Sequence, residues 1–272
     1  MASSFIVSGK LLPYANPIAS TGLRFILASL LMLPFIYRGY VRILTLSLLL
    51  KYAVISLFLV LFFLGMFESL KTTTPMRTSV IYTLLPLLSV LFTFMALRQL
   101  TPKRQLLGFI LGTIGAIWVL LIFNQDSPLQ QQWYRGDSIF LLACCCLALH
   151  VVLIKKWTSD VPPAQGAFYV MFIGGLILLP FLLLFGDLQQ VGWHQDEFWQ
   201  VLLYLTVFTT MATFFLQQRL LKKVGPNHLL AYTYLLPGLV VMLQGYINIA
   251  QLYSSLPGII LTFLALYLIS RR

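Results

Sequence analysis

The chain has 272 residues, of which 60% are apolar and only 9% charged, and its net charge is +11. A soluble domain carries about 25% charged residues, so a water-soluble globule is excluded and lipid is the solvent for most of the chain. The basic excess belongs to loops on one face of a membrane. Outside the apolar runs no basic and aromatic residues interleave into a groove, so no nucleic-acid partner is expected.

The chain opens on MASSFIVSGKLL, residues 1–12. This reads as the last part of a membrane helix whose beginning is missing, a truncated first span. Further spans are predicted at 18–37, 52–70, 76–97, 105–123, 138–154, 164–185, 198–218, 227–249 and 252–270. Helices are required because hydrocarbon offers backbone groups no other partner, and the alternation of a barrel strand is absent. Cys144, Cys145 and Cys146 lie together in one run. Successive helix positions point about 100° apart, so the three cannot converge on a metal and read as small packing residues. If the stub runs outward, 13 of the 18 basic residues fall on one side, among them Arg98, Lys155, Lys156, Lys222, Lys223, Arg271 and Arg272. The positive-inside rule then places both termini in the cytoplasm.

The chain repeats itself. Lys10, Pro17 and Leu33-Pro34-Phe35 recur at an offset of 146 as Lys156, Pro163 and Leu179-Pro180-Phe181. Pro75 and Leu84-Leu85-Pro86 recur at 151 as Pro226 and Leu235-Leu236-Pro237, and Gly108 recurs as Gly258. The predicted halves are 1–123 and 137–272, with five spans each. Five is odd, so the second half enters the membrane from the opposite side. That is a plan of secondary transporters, with the solute bound near the midplane between the repeats.

These residues resemble the drug/metabolite transporter superfamily, EamA type. Ser3-Ser4-Phe5-Ile6-Val7 with Lys10 resembles the end of that family's first helix. Pro17 with Leu23-Arg24-Phe25 resembles its entry to helix two, Pro86 the proline of helix four, and Leu100-Thr101, Leu106-Leu107-Gly108 and Gly115 its passage into helix five. Arg98 and Asn248 stand where the family usually has an acid, and Ala265 matches Gly115. The resemblance implies a ten-helix, all-α inverted-repeat (5+5) bundle in a bacterial inner membrane that moves amino acids or other metabolites, often outward.

Charges in hydrocarbon need a reason, since an arginine or aspartate at a helix centre costs roughly 2.5 to 3.5 kcal/mol on insertion scales. Arg24 is a candidate anion contact or a snorkelling structural residue. Glu68 is a candidate proton-coupling carboxylate, or a partner of Lys71 or Arg77 at the interface. His150 is a candidate relay or a buried neutral ring. Tyr82, Tyr232 and Tyr234 offer rings and hydroxyls to a cavity. Gln244 and Asn248 share one helix face and offer amides. Pro86 and Pro237 each remove a backbone bond and make matched hinge candidates. Trp133, Trp193 and Trp199 read as an interfacial belt.

The function expected is therefore a secondary carrier for a small solute, with a proton as candidate co-substrate, acting as monomer or homodimer and needing no cofactor. A membrane-embedded lipid-modifying enzyme and a non-transporting assembly protein are the alternatives. No His-Glu-x-x-His, Gly-x-Ser-x-Gly or Cys-x-x-Cys occurs, and no phosphate-binding loop for a primary pump.

Overall fold

A computed structural model describes residues 2–36, 45–123, 133–244 and 249–270. All regular structure among them is helical: α1 (Ala2–Leu11), α2 (Pro17–Ile36), α3 (Leu46–Ser69), α4 (Pro75–Ile81), α5 (Leu85–Leu97), α6 (Lys103–Phe123), α7 (Arg135–Trp157), α8 (Pro163–Phe185), α9 (Asp196–Tyr204), α10 (Thr213–Ala231), α11 (Leu236–Gln244) and α12 (Ile249–Ser270). Among the described residues seven segments are long and apolar enough to cross a membrane.

One of these segments, Asp196–Val240, runs for 45 residues. At 1.5 Å per residue that is more than twice the hydrocarbon thickness. Gly225 breaks it, with φ 78° and ψ 170° inside α10, immediately before Pro226. A glycine tolerates positive φ and a proline gives no N–H to the preceding turn, so the pair ends one helix and starts the next. The helix before Gly225 and the helix after it are thus separate, meeting at these two residues.

Starts and stops follow local chemistry. α2 and α8 each begin on a proline, Pro17 and Pro163, and each carries a second proline 17 residues on, Pro34 and Pro180. Thr45 and Thr74 cap α3 and α4 by accepting from the N–H of Leu48 and Arg77. α5 ends on Arg98 in the left-handed conformation, φ 53°. Between α4 and α5 lies a 3-10 turn, Tyr82–Leu84, and between α10 and α11 another, Tyr232–Leu235. Pro86 and Pro237 therefore sit in the first turn of a restarted helix, where no N–H is needed.

Helices early in the chain pack on helices late in it: α2 on α8, α3 on α7 and α8, α5 on α7, and α6 on α12. The last contact is close enough to require small residues. A Cβ on Gly115 would stand 2.7 Å from the Gly258 carbonyl oxygen, and one on Gly108 would stand 3.1 Å from that of Ala265. At one end of the bundle the first turns of α4 and α7 are tied together. Arg77 forms a bidentate pair with the buried Asp137, which also accepts from Thr73 and from the Tyr134 N–H.

Candidate functional site

The core between α2, α3, α7, α8 and α10 is not wholly apolar. Arg24 lies on α2, fully buried at 0% exposure. Its guanidinium sits 4.5 Å from the centre of the Phe63 ring and 5.7 Å from that of Phe67, both on α3. Nη2 donates to Thr210 Oγ1 at 2.8 Å and to Thr209 Oγ1 at 3.1 Å.

The threonines belong to a π-helical segment, Leu205–Ala212, that joins α9 to α10. Both hydroxyls donate to one carbonyl, that of Leu205, four residues back from Thr209 and five from Thr210. The widened turn brings two consecutive hydroxyls to one guanidinium nitrogen. Such π turns are costly for a helix and concentrate at functional sites.

Arginine has five N–H donors and cannot give up its proton. The two on Nη2 are used. Those on Nε and Nη1 find no acceptor among the described residues. Nor does any described carboxylate pair with Arg24: Glu68 pairs with Lys71, Asp137 with Arg77, Asp187 accepts from Asn16, and Glu197 accepts from Tyr14.

Other unsatisfied groups gather on the same helices. His150 is fully buried on α7, and its Nδ1 is 2.8 Å from the Ile55 carbonyl oxygen of α3. A carbonyl only accepts, so Nδ1 carries the proton. Nε2 is left as an acceptor with no partner among the described residues. The His150 ring lies edge-on to Phe214, which in turn packs on Phe63 beneath Arg24. Ser56 Oγ and Gln218 Nε2 are likewise buried and unpartnered among the described residues. Gly166 of α8 makes room beside them, since a Cβ there would stand 3.2 Å from the Tyr52 hydroxyl and 3.3 Å from Gln218 Oε1. Burying an unpaired polar group costs about 1–3 kcal/mol and a charge more, so a concentration of them in one seam marks a place kept for something other than packing.

Of the residues singled out in the sequence, Arg24 and His150 fall in this seam. Glu68 does not: its carboxylate pairs with Lys71 at 2.7 Å, with the two side chains 49% and 46% exposed. It stands at the rim of an apolar surface cleft of about 430 Å³ lined by Pro17, Leu61, Ile139 and Ala143. Tyr82 is buried among Phe5, Phe62 and Phe140. Tyr234 is a strut: its hydroxyl donates to the Phe109 carbonyl at 2.7 Å, and its ring fills the space above Gly112. Tyr232 faces outward, 57% exposed. The Gln244 side chain and Asn248 lie outside the described residues. Sequence reasoning misses Thr209, Thr210, Ser56, Gly166 and the role of Phe63. Gln218 is, in the sequence, only one of several amides.

Residues 1–121 and 134–271 match the profile of the EamA-like transporter family. The chain belongs to that family. Two relatives from Bacillus subtilis (strain 168) are the uncharacterized transporter YetK, 24% identical over 91% of this chain and 76% of its own length, and the uncharacterized transporter YyaM, 24% identical over 68% and 59%. Protein PecM of Dickeya dadantii (strain 3937) is 29% identical over 68% of this chain and 61% of its own. The matched stretch thus spans only about six tenths of YyaM and PecM. A crystal structure superposes on 98% of this chain and 95% of its own with a TM-score of 0.68 at 16% identity, which establishes a shared fold. This EamA-family protein is accordingly a multi-pass membrane protein of a transporter family.

Proposed function

We propose that this EamA-family protein is a secondary carrier that exports a small organic metabolite, an amino acid or similar solute, across a bacterial inner membrane. It works by alternating access between two five-helix halves of opposite orientation, with both termini cytoplasmic. The observation that carries the reading is Arg24. A fully buried cation from an early helix meets a π segment from a late one, with donors left over. A scaffold gains nothing from that arrangement, while a carrier needs polar groups at the midplane that a solute can engage from either side.

The pairing of α6 and α12 supports the two-fold. Gly108 matches Gly258 in the repeat, and Gly115 matches Ala265. Gly108 approaches Ala265, and Gly115 approaches Gly258. Each contact is therefore the image of the other, as an inverted repeat requires. Matched prolines in α2 and α8, and matched 3-10 turns before Pro86 and Pro237, add to it. The shared turns support a hinge role for the two prolines.

His150 is the better-placed proton carrier, because its free Nε2 sits in the seam, whereas Glu68 is tied to Lys71 at the surface. The test is solute counterflow in proteoliposomes across a panel of amino acids and metabolites, with and without a pH gradient, and with mass spectrometry of the solute recovered. Saturable exchange of unaltered solute is expected. A chemically changed solute would favour the membrane-enzyme alternative, and no exchange for any solute would sink the carrier.

A further inference from the structure

From the unpaired guanidinium, we infer that the transported solute is an organic carboxylate, free acid or zwitterion, and that Arg24 is the residue that holds its carboxylate. The inference rests on the carrier reading for how the solute reaches the site, and on three observations for its chemistry.

The first is the count of acids. The chain has seven. Glu68, Asp137, Asp187 and Glu197 are engaged with Lys71, Arg77, Asn16 and Tyr14. Asp160 lies in the turn between α7 and α8, Asp196 is exposed in the first turn of α9, and Asp126 lies outside the described residues. A buried charge without a counter-ion is among the most costly features a protein can carry, and among the described residues two threonine hydroxyls and two aromatic rings offset part of the cost but no carboxylate does.

The second is geometry. Thr209 and Thr210 hold Nη2 and leave Nε and Nη1 with their hydrogens directed at no acceptor among the described residues. A carboxylate can accept a single charge-assisted bond from either free nitrogen, and such bonds are about twice as strong as neutral ones. A neutral amide or an amine could not neutralise the cation, and an amine would add to the charge.

The third is the wall. Phe63 lies under the guanidinium, Phe25 and Phe214 pack edge-on or tilted against Phe63, and Phe67 closes a further side. That lining suits a solute with a compact apolar body behind its carboxylate. Further along the same helices, Ser56 Oγ and His150 Nε2 are open acceptors and Gln218 Nε2 an open donor, available to the remote polar groups of a longer solute.

The experiment is thermal unfolding of the purified full chain in detergent with matched probes: acetate, phenylacetate, succinate and phenylalanine against acetamide, phenylacetamide and phenethylamine, with chloride as a control. At least one carboxylate raises the melting temperature, and its own amide does not. Arg24→Gln weakens that binding roughly 10- to 150-fold, the range for losing a charged hydrogen-bond partner. Arg24→Lys keeps the preference for acid over amide at reduced affinity, so the prediction stands if the glutamine variant fails to fold. Equal stabilisation by acid and amide, stabilisation by chloride alone, or no shift with any carboxylate overturns the assignment. Proteoliposomes separate the two readings: amides that exchange while acids do not leave the carrier standing and sink the anion site. Acids that stabilise a protein through which nothing exchanges leave the site and sink the carrier.

Discussion

The contact between α6 and α12 and the seam around Arg24 are both built where an early helix meets a late one, yet they are opposites. In the first, glycines let two backbones approach, Tyr234 fills the gap above Gly112 and its hydroxyl is bonded to the Phe109 carbonyl. Polar groups there are few. In the second, a fully buried cation, a histidine nitrogen, a serine hydroxyl and an amide are left without partners among the described residues. Since a buried polar group costs free energy unless it is paired, the first contact reads as a strut, with stability as its purpose. The seam gives up stability to keep donors available.

That contrast is easiest to break at Arg24. Arg24→Met removes the unpaired charge and leaves an apolar side chain of similar length among phenylalanines. Replacing buried ions by apolar residues is often neutral or stabilising by about 1–4 kcal/mol, so the melting temperature in detergent should hold or rise. Counterflow should fall about 100-fold or more, the equivalent of losing roughly 3 kcal/mol of solute interaction. Gly115→Val should do the reverse. Its added atoms run into the Gly258 carbonyl and Leu261, so stability falls by about 1–3 kcal/mol, while the turnover of each folded molecule is unchanged. Tyr234→Phe is a gentler version on the strut side. Losing the bond to the Phe109 carbonyl should cost about 0.5–1.5 kcal/mol in denaturant or thermal titration, again with normal turnover. The smallest effect is expected at the surface pair. Glu68→Gln should change stability by less than about 1 kcal/mol, because exposed ion pairs contribute little, and should leave gradient-driven flux intact. Loss of flux in that variant would move the coupling site from the seam to the surface.

The strut is largely readable in the sequence and the seam is not. Gly108, Gly115, Gly258 and Ala265 stand out because glycine in a lipid-facing helix has few uses besides close packing. The recurrence of Leu-Leu-Pro marks the matched turns before Pro86 and Pro237. Arg24 can be singled out, since a cation in an apolar run always needs explaining. Its partners cannot: Thr209 and Thr210 are 185 and 186 residues away, and they meet it through a π turn, which leaves no periodic trace in sequence. Tyr232 and Tyr234 read alike as letters. Two residues apart in a 3-10 turn, they point to different sides, and only Tyr234 is buried. Glu68 has the look of an acid within a span, but it lies in the last turn of α3, within reach of Lys71 and of water.

The distance between Arg24 and its threonines also bears on how the protein is made. Ribosomes add roughly 5–20 residues per second, so on the order of ten to forty seconds pass between synthesis of Arg24 and of the π segment that will hold it. Through that interval α2 resides in the bilayer with its cation uncovered, and α8, its packing partner, does not yet exist. The nascent chain therefore carries an uncompensated cation in lipid until the later helices are made. An insertion-competent α2 must tolerate its arginine in isolation, by reaching for the headgroups near the Pro17 end, before the finished bundle turns the same side chain inward.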